Sequence, residues 1–376
     1  MAQNHVPAKH NPIAAHHFFR PNANLFRPSA SALRSRVRPI RLPEMWEKGK
    51  MNKILKLAIA VAGSVVVSLG SAQADPKGKK IAFLITSPTN PFIADLTKNF
   101  VAKANSFGME VTTFNTPFDV ALQSQQVDDA IARKFDMIAI IAAAEGAIIP
   151  ALTRARDAKM PVIMVNTPPR VDTNDLYLTF VGEDHTELGR IAGQGVVQAL
   201  KESGRDTARV ALITGSLQEG VGPRRVVGFK EALKAMPKVQ IVATEDAKWD
   251  TAASERIAGQ LYARFAPTGG LDVLYGMADN QTVAAIKAAE AANIPLGTKK
   301  GELIVVGSNC VRQGIEMIKA GKQYSTSVQI PARTGEKSAE LAADYFNGKT
   351  VPKEVILPIE LVTKANVEKW EKPCSF

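Results

Sequence analysis

Short apolar runs alternating with amphipathic helical stretches constrain this chain more than any other feature. Residues 81–86 form a continuous apolar run ending in Thr86, the pattern of a strand covered on both faces in a parallel sheet. Asn90 and Pro91 follow as helix cap and first helical residue, and Phe92, Leu96, Phe100 and Phe107 then recur at helical spacing. The cycle repeats with strands at 111–114, 137–142 and 161–165, helices near 120–134 and 146–158, and a strand at 179–182 leading into a long helix over 186–202. A second series places strands at 210–213, 239–243, 273–275, 303–307 and 324–329 between helices at 223–236, 251–265, 280–292, 311–320 and 333–347. An extended stretch over 354–362 closes it. Such alternation predicts an α/β chain with two Rossmann-like, doubly wound parallel-sheet domains. The length of 376 residues suits two such domains. No linker rich in Gly or Ser separates the halves, so they are expected to hinge against each other.

Charge is unevenly placed. The chain carries 47 Lys+Arg against 36 Asp+Glu, a net +11. Residues 1–50 hold nine basic and two acidic side chains, and residues 51–74 add two lysines, which leaves 36 basic against 34 acidic from residue 75 onward. A body so nearly balanced offers no basic stripe to a phosphate backbone, and nucleic acid is not an expected partner. Within the basic leader, MNKILK (51–56) is a charged start, 57–69 is apolar apart from Gly and Ser, and AQA (72–74) is a small-x-small site. This predicts a signal peptide over 51–74, cleaved before Asp75, and export to the periplasm. The apolar run falls short of the roughly 20 residues of a spanning helix, and no Cys follows the site to carry a lipid. Residues 1–50, dominated by Pro, Arg, His and Asn, read as a non-native or disordered leader ahead of a true start at Met51; a transit peptide is the competing reading. Two cysteines, Cys310 and Cys374, lie in the exported part. An oxidising compartment makes one disulfide between them the natural expectation, with two buried free thiols as the alternative.

Catalytic constellations are missing. His185 is the single histidine after residue 75, which leaves no multi-histidine metal site. It stands at a helix start, where a capping or surface role is expected. No GxSxG, HExxH or Walker A sequence occurs. Gly193-x-Gly195 is the nearest approach to a dinucleotide fingerprint, but it lies inside a helix with Gln198 in the third position, and close helix packing is expected instead. Neither enzyme, cofactor nor metal is indicated. What stands out is polar and aromatic residues at strand C-termini, the edge where open α/β sheets bind ligands: Thr86, Asn90 and Phe92; Asn166 and Thr167; Asp279; Ser308 and Asn309; and Gln329. Neutral amides suit hydroxyl groups, and Phe92 and Trp249 offer flat faces to the C–H surface of a sugar. Taken singly, each is also an ordinary cap or turn residue.

These residues fall on a resemblance. The segments IAFLITSPTNPF (81–92), MPVIMV (160–165), GRIAG (189–193), RVVGF (225–229), VVGSN (305–309) and VQIP (328–331) occur in the order found in one family. From about 79 to 365 the chain resembles the ribose/galactose-type, or type I, periplasmic binding proteins, the solute receptors of ABC importers. The resemblance implies two lobes joined by a three-crossing hinge near 182–184, 329–330 and 358–360. The N-terminal lobe would comprise 79–183 and 330–357, and the C-terminal lobe 184–329 and 358–376. It implies ligand contacts at Thr86, Asn90, Phe92, Ile93, Asn166 and Thr167 from one side. From the other come Trp249, Asp279, Ser308, Asn309 and Gln329. The ribose binders carry Asp-Arg where this chain has Asn166-Thr167, and Phe-Asp where it has Ser308-Asn309. Their cleft arginine aligns on Pro223, with Arg224 beside it as the expected substitute. Losing charged partners for vicinal hydroxyls points away from ribose itself, toward another sugar, a polyol or a small hydroxylated metabolite.

The implied role is a monomer that closes on a sugar or polyol and hands it to the membrane subunits of an ABC permease, without chemistry of its own. A sugar-sensing receptor for chemotaxis or a sensor kinase would share the fold and is the alternative. A transcription regulator would need an N-terminal helix-turn-helix, which the Pro-rich residues 1–50 do not supply.

Overall fold

β1 (Lys80–Ile85) shows why the sheets form. Ile81, Phe83 and Ile85 enter one core with Phe92, Leu96 and Phe100, while Ala82 and Leu84 enter another with Val127, Ile148 and Leu152. Successive strand residues point to opposite faces, so a run apolar throughout is stable only when both faces are covered. This computed structural model describes residues 75–170 and 172–376; the expected leader (1–50) and signal peptide (51–74) lie outside the described residues.

β1 is joined by β2 (Glu110–Asn115), β3 (Met137–Ile140), β4 (Val162–Val165), β5 (Thr179–Gly182) and, from far along the chain, β11 (Glu354–Ile356). The order is β11-β5-β4-β3-β1-β2, with every neighbouring pair parallel. Helices α1 (Pro91–Ser106) and α9 (Pro331–Phe346) cover one face, and α2 (Val120–Ala132) and α3 (Ile149–Asp157) the other. The start of α1 is set locally: Asn90 Oδ1 accepts from the backbone N–H of Phe92 and Ile93 at 3.0 and 3.3 Å, with Pro91 in the first turn.

The second sheet holds β6 (Ala208–Thr214), β7 (Val239–Asp246), β8 (Val273–Gly276), β9 (Ile304–Val306), β10 (Ser325–Ser327) and β12 (Leu361–Thr363) in the order β12-β10-β9-β8-β6-β7. Its pairs are parallel except the edge strand β12, which runs antiparallel to β10. Helices α4 (His185–Glu202) and α5 (Val221–Leu233) cover one face, and α6 (Thr251–Phe265) and α7 (Asp279–Ala291) the other. The terminal stretch expected as one extended segment is two short strands, each pairing in a different sheet. Both halves are thus doubly wound α/β layers.

Glycines set how closely α4 and α5 approach. A Cβ on Gly228 would collide with the Thr186 carbonyl, and one on Gly189 with the Arg225 backbone. Gly193 meets Ala232 and Phe229, and Gly195 meets Ser325, so the Gly-x-Gly step is a packing device. At the far end, α8 (Arg312–Lys319) and α10 (Val367–Glu371) pack around a disulfide between Cys310 and Cys374, in a cluster with Ile315, Ile318, Val362 and Trp370.

Candidate ligand cleft between the two sheets

The chain passes between the sheets three times, from β5 to α4, from β10 to α9 and from β11 to β12. Loops leaving the C-terminal ends of strands in both sheets border one cleft, with about 390 Å³ of atom-free space including its open mouth. Thr86, Ser87, Asn90, Phe92, Ile93, Phe118 and Asn166 line it from the first sheet; Glu219, Val221, Arg225, Trp249 and Asn309 from the second; and Gln329 from a crossing.

Arg225 organises the floor. It is 2 % exposed, and a guanidinium so buried must spend its N–H groups on partners. Nη2 donates to Gln329 Oε1 at 2.7 Å, Nη1 to Asn309 Oδ1 at 3.1 Å and to the Met277 carbonyl, and Nε to His185 Nδ1 at 3.3 Å. Its cation also lies 5.4 Å from the Trp249 ring. Gln329, with its oxygen taken, turns Nε2 to Asn166 Oδ1 at 3.1 Å and to Glu183 Oε2 at 2.8 Å. Arg225, Gln329 and Asn166 therefore form one oriented chain of bonds from the second sheet to the first. Glu219 accepts from Trp249 Nε1, and the absence of a side chain at Gly215 makes room for the indole. Burial pushes Glu219 up to about 8 and Glu183 up to about 7, Arg225 pulling both back in part.

Eight of the twelve residues expected at the ligand border this cleft: Thr86, Asn90, Phe92, Ile93, Asn166, Trp249, Asn309 and Gln329. Four do not, each for a visible reason. Asp279 turns inward, accepting from Gln323 Nε2, Thr326 Oγ1 and the Val311 N–H at 2.8, 2.9 and 3.1 Å, and it ties the turn after β9 to β10. Burial pushes its carboxyl up to about 7. The Ser308 hydroxyl pairs with Tyr275 at 3.3 Å beneath the floor, and Thr167 is fully buried behind Asn166. Arg224, the expected substitute for the cleft arginine, lies on the rim. Its Nη2 pairs with Glu145, in the loop after β3, at 2.7 Å and approaches the Pro169 carbonyl at 3.4 Å, and nearby the Glu145 N–H donates to Gln218 O at 3.2 Å. Arg225 takes the interior place because Val221, Arg225 and Phe229 recur every fourth residue on the buried face of α5.

His185 differs from expectation too. Asp184 caps α4, accepting from the N–H groups of Thr186 and Glu187. His185 is buried between the sheets, with Nε2 donating to the Asn166 carbonyl at 2.8 Å and Nδ1 accepting from Arg225. Burial and the neighbouring Arg225 drive its pKa down to about 3, so the ring is neutral. Sequence reasoning missed Glu219 and Arg225. The four-residue period along α5 could have found Arg225. No comparable signal marks Glu219, which sits in a loop.

The cleft between the two α/β sheets is thus bordered by amides, hydroxyls and aromatics, with one guanidinium, Arg225, and one carboxyl, Glu219, an arrangement suited to binding a small polar solute. Comparison with known proteins places it. The model of the periplasmic binding protein domain matches residues 81–350. The ribose import binding protein of Haemophilus influenzae is 25% identical over 311 residues, spanning 83% of this chain and 98% of its own length. The D-allose-binding periplasmic protein of Escherichia coli is 24% identical over 321 residues, with 83% and 98% covered. Among solved structures, an ABC transporter solute binding protein of Bacillus halodurans with bound myo-inositol matches with a TM-score of 0.70 at 24% identity, over 80% of this chain and 99% of that one. The chain belongs to the periplasmic binding protein family.

Proposed function

We propose that this family member is the exported solute receptor of an ABC importer, taking a sugar or polyol into the cleft and delivering it to the membrane permease. One observation carries the reading: amide, hydroxyl and aromatic groups borne on loops of the two sheets border the same cleft. A hydroxylated ring bound there would hydrogen-bond to Thr86, Asn90, Asn166, Asn309 and Arg225 and lay its C–H faces on Phe92 and Trp249. The names of the relatives point the same way, to ribose, allose and myo-inositol.

In this reading 79–183 with 330–357, and 184–329 with 358–376, act as two lobes hinged at the three crossings. A solute that touches both lobes stabilises the closed arrangement by its differential contacts, and the Arg224–Glu145 pair latches the rim. The mature chain starts at Asp75 after signal cleavage, works in the periplasm as a monomer and makes no nucleic-acid contact. A thermal-shift screen of the purified protein against sugars, polyols and sugar acids tests this. A cargo at a hundredfold its Kd stabilises the fold by about 2.7 kcal/mol, so one solute should raise the midpoint as its concentration rises. No response across all three classes would sink the reading.

A further inference from the structure

The cleft's polar lining is biased toward donors. Asn90 Oδ1 is spent on two backbone N–H groups, Asn166 Oδ1 on Gln329 Nε2, and Asn309 Oδ1 on Arg225 Nη1. These orientations are dictated by the partners. Backbone N–H and guanidinium can only donate, and Gln329 must present Nε2 because Arg225 holds its oxygen. All three carboxamides therefore keep their NH₂ ends free of protein acceptors among the described residues. Asn166 and Asn309 are 7% and 6% exposed, and both border the cleft. The second Nη2 hydrogen of Arg225 is likewise uncommitted. Against these donors stand few acceptors: the Thr86 hydroxyl, the Ser87 hydroxyl, which also pairs with Thr89 Oγ1 at 3.3 Å, and the single bordering carboxylate, Glu219, whose Oε2 already serves Trp249.

Every buried sugar hydroxyl brings a proton that must find an acceptor, whereas a carboxylate brings about four acceptor sites and no proton. Resting on the reading of this cleft as a site for hydroxylated solutes, we infer that the cargo is a sugar acid, an aldonate or uronate. Its carboxylate would be held by the Asn166 and Asn309 amides with Arg225 behind them. Its hydroxyls would run toward Thr86 and Glu219. The charges agree. Arg225 is the one cation bordering the cleft among the described residues, and Glu219, pushed up to about 8 by burial, is mostly protonated at neutral pH and opposes an anion little.

Isothermal titration calorimetry of the purified protein decides it, using D-gluconate and D-galacturonate against D-glucose, D-galactose and myo-inositol. One acid should bind at least tenfold more tightly than its neutral counterpart. Asn166→Asp and Asn309→Asp, which turn a donor into a charged acceptor of the same shape, should each weaken that acid at least tenfold and weaken neutral sugars less. Both positions have left-handed backbone, φ 59° and 90°, where Asp is tolerated much as Asn is; a melting curve confirms that each variant folds. A neutral sugar binding as tightly as its acid, or Asp variants that leave acid affinity unchanged, overturns the inference while the solute-receptor reading stands. If no member of either set binds, both fall. Should the variants unfold, the acid-to-neutral comparison on the unaltered protein decides alone.

Discussion

Two adjacent arginines do opposite work. Arg225 is walled in by Gln329, Asn309, Met277 and His185, whereas the Arg224–Glu145 pair is 28% and 21% exposed. Arg225→Met leaves several buried polar groups unpaired and should cost about 3–5 kcal/mol in urea unfolding, if the variant folds at all. Arg224→Ala should cost under about 1 kcal/mol, as half-exposed pairs do. Its effect should appear instead in stopped-flow release, as a faster solute off-rate from a rim that no longer latches. Reading Arg224 for Arg225 is a slip of one residue, or about 100° around a helix. The four-residue spacing to Val221 and Phe229 is what turns Arg225, and not Arg224, inward. The buried carboxyls also predict a pH profile. Glu183, Glu219 and Asp279 rise from ordinary values of 4.5, 4.5 and 3.8 to about 7, 8 and 7 on folding. The folded state thus keeps protons that the unfolded chain sheds. The stability they contribute is full below the ordinary values and is lost as pH rises through 7 to 8. His185, ordinarily 6.5 and driven to about 3, is neutral in both states above pH 6.5 and offsets nothing there. Unfolding free energy should fall between pH 6.5 and 8.5, by on the order of 1 kcal/mol per unit. A flat profile in that window would mean these carboxyls ionise normally.

Elements were the most legible level, because period and capping act locally. The α1 start at Asn90-Pro91 and the doubly covered β1 follow from a dozen consecutive residues. What local pattern could not carry was direction. Asp279 stands at a strand C-terminus as expected, yet Gly307 and Gly314 leave space on the inner side and Thr326 and Gln323 wait there with donors. Nothing within ten residues of Asp279 announces this. The terminal stretch failed similarly, since splitting it between β11 and β12 depends on two sheets formed elsewhere. Helix glycines supply a matched test. Gly228→Ala forces α5 away from the Thr186 carbonyl and should lower stability by about 1–3 kcal/mol. Gly259→Ala in α6, with nothing within 4 Å of the new methyl, should raise it by about 0.5–1 kcal/mol. Thermal melts of the two variants should move in opposite directions.

At the scale of the whole molecule, the Cys310–Cys374 bond closes a segment 64 residues apart in sequence. On the chain-entropy model this stabilises the fold by about 4 kcal/mol. Dithiothreitol, or Cys374→Ser, should therefore lower the unfolding midpoint clearly, and an unchanged midpoint would show that the tail is held by the Trp370 cluster alone. Two cysteines in a chain expected to be exported already favour this bond over buried free thiols, and the structure carries it. The sheet order has a different sort of consequence, one of timing. The first-made half lacks its edge strand β11 and the helix α9 that packs on α1 until residue 356 of 376 is present. A chain emerging from the ribosome can make most of that sheet early but cannot seal it, because loop closure to the last tenth of the sequence comes at the end. Until those last residues arrive, the older half waits with one margin of its sheet bare.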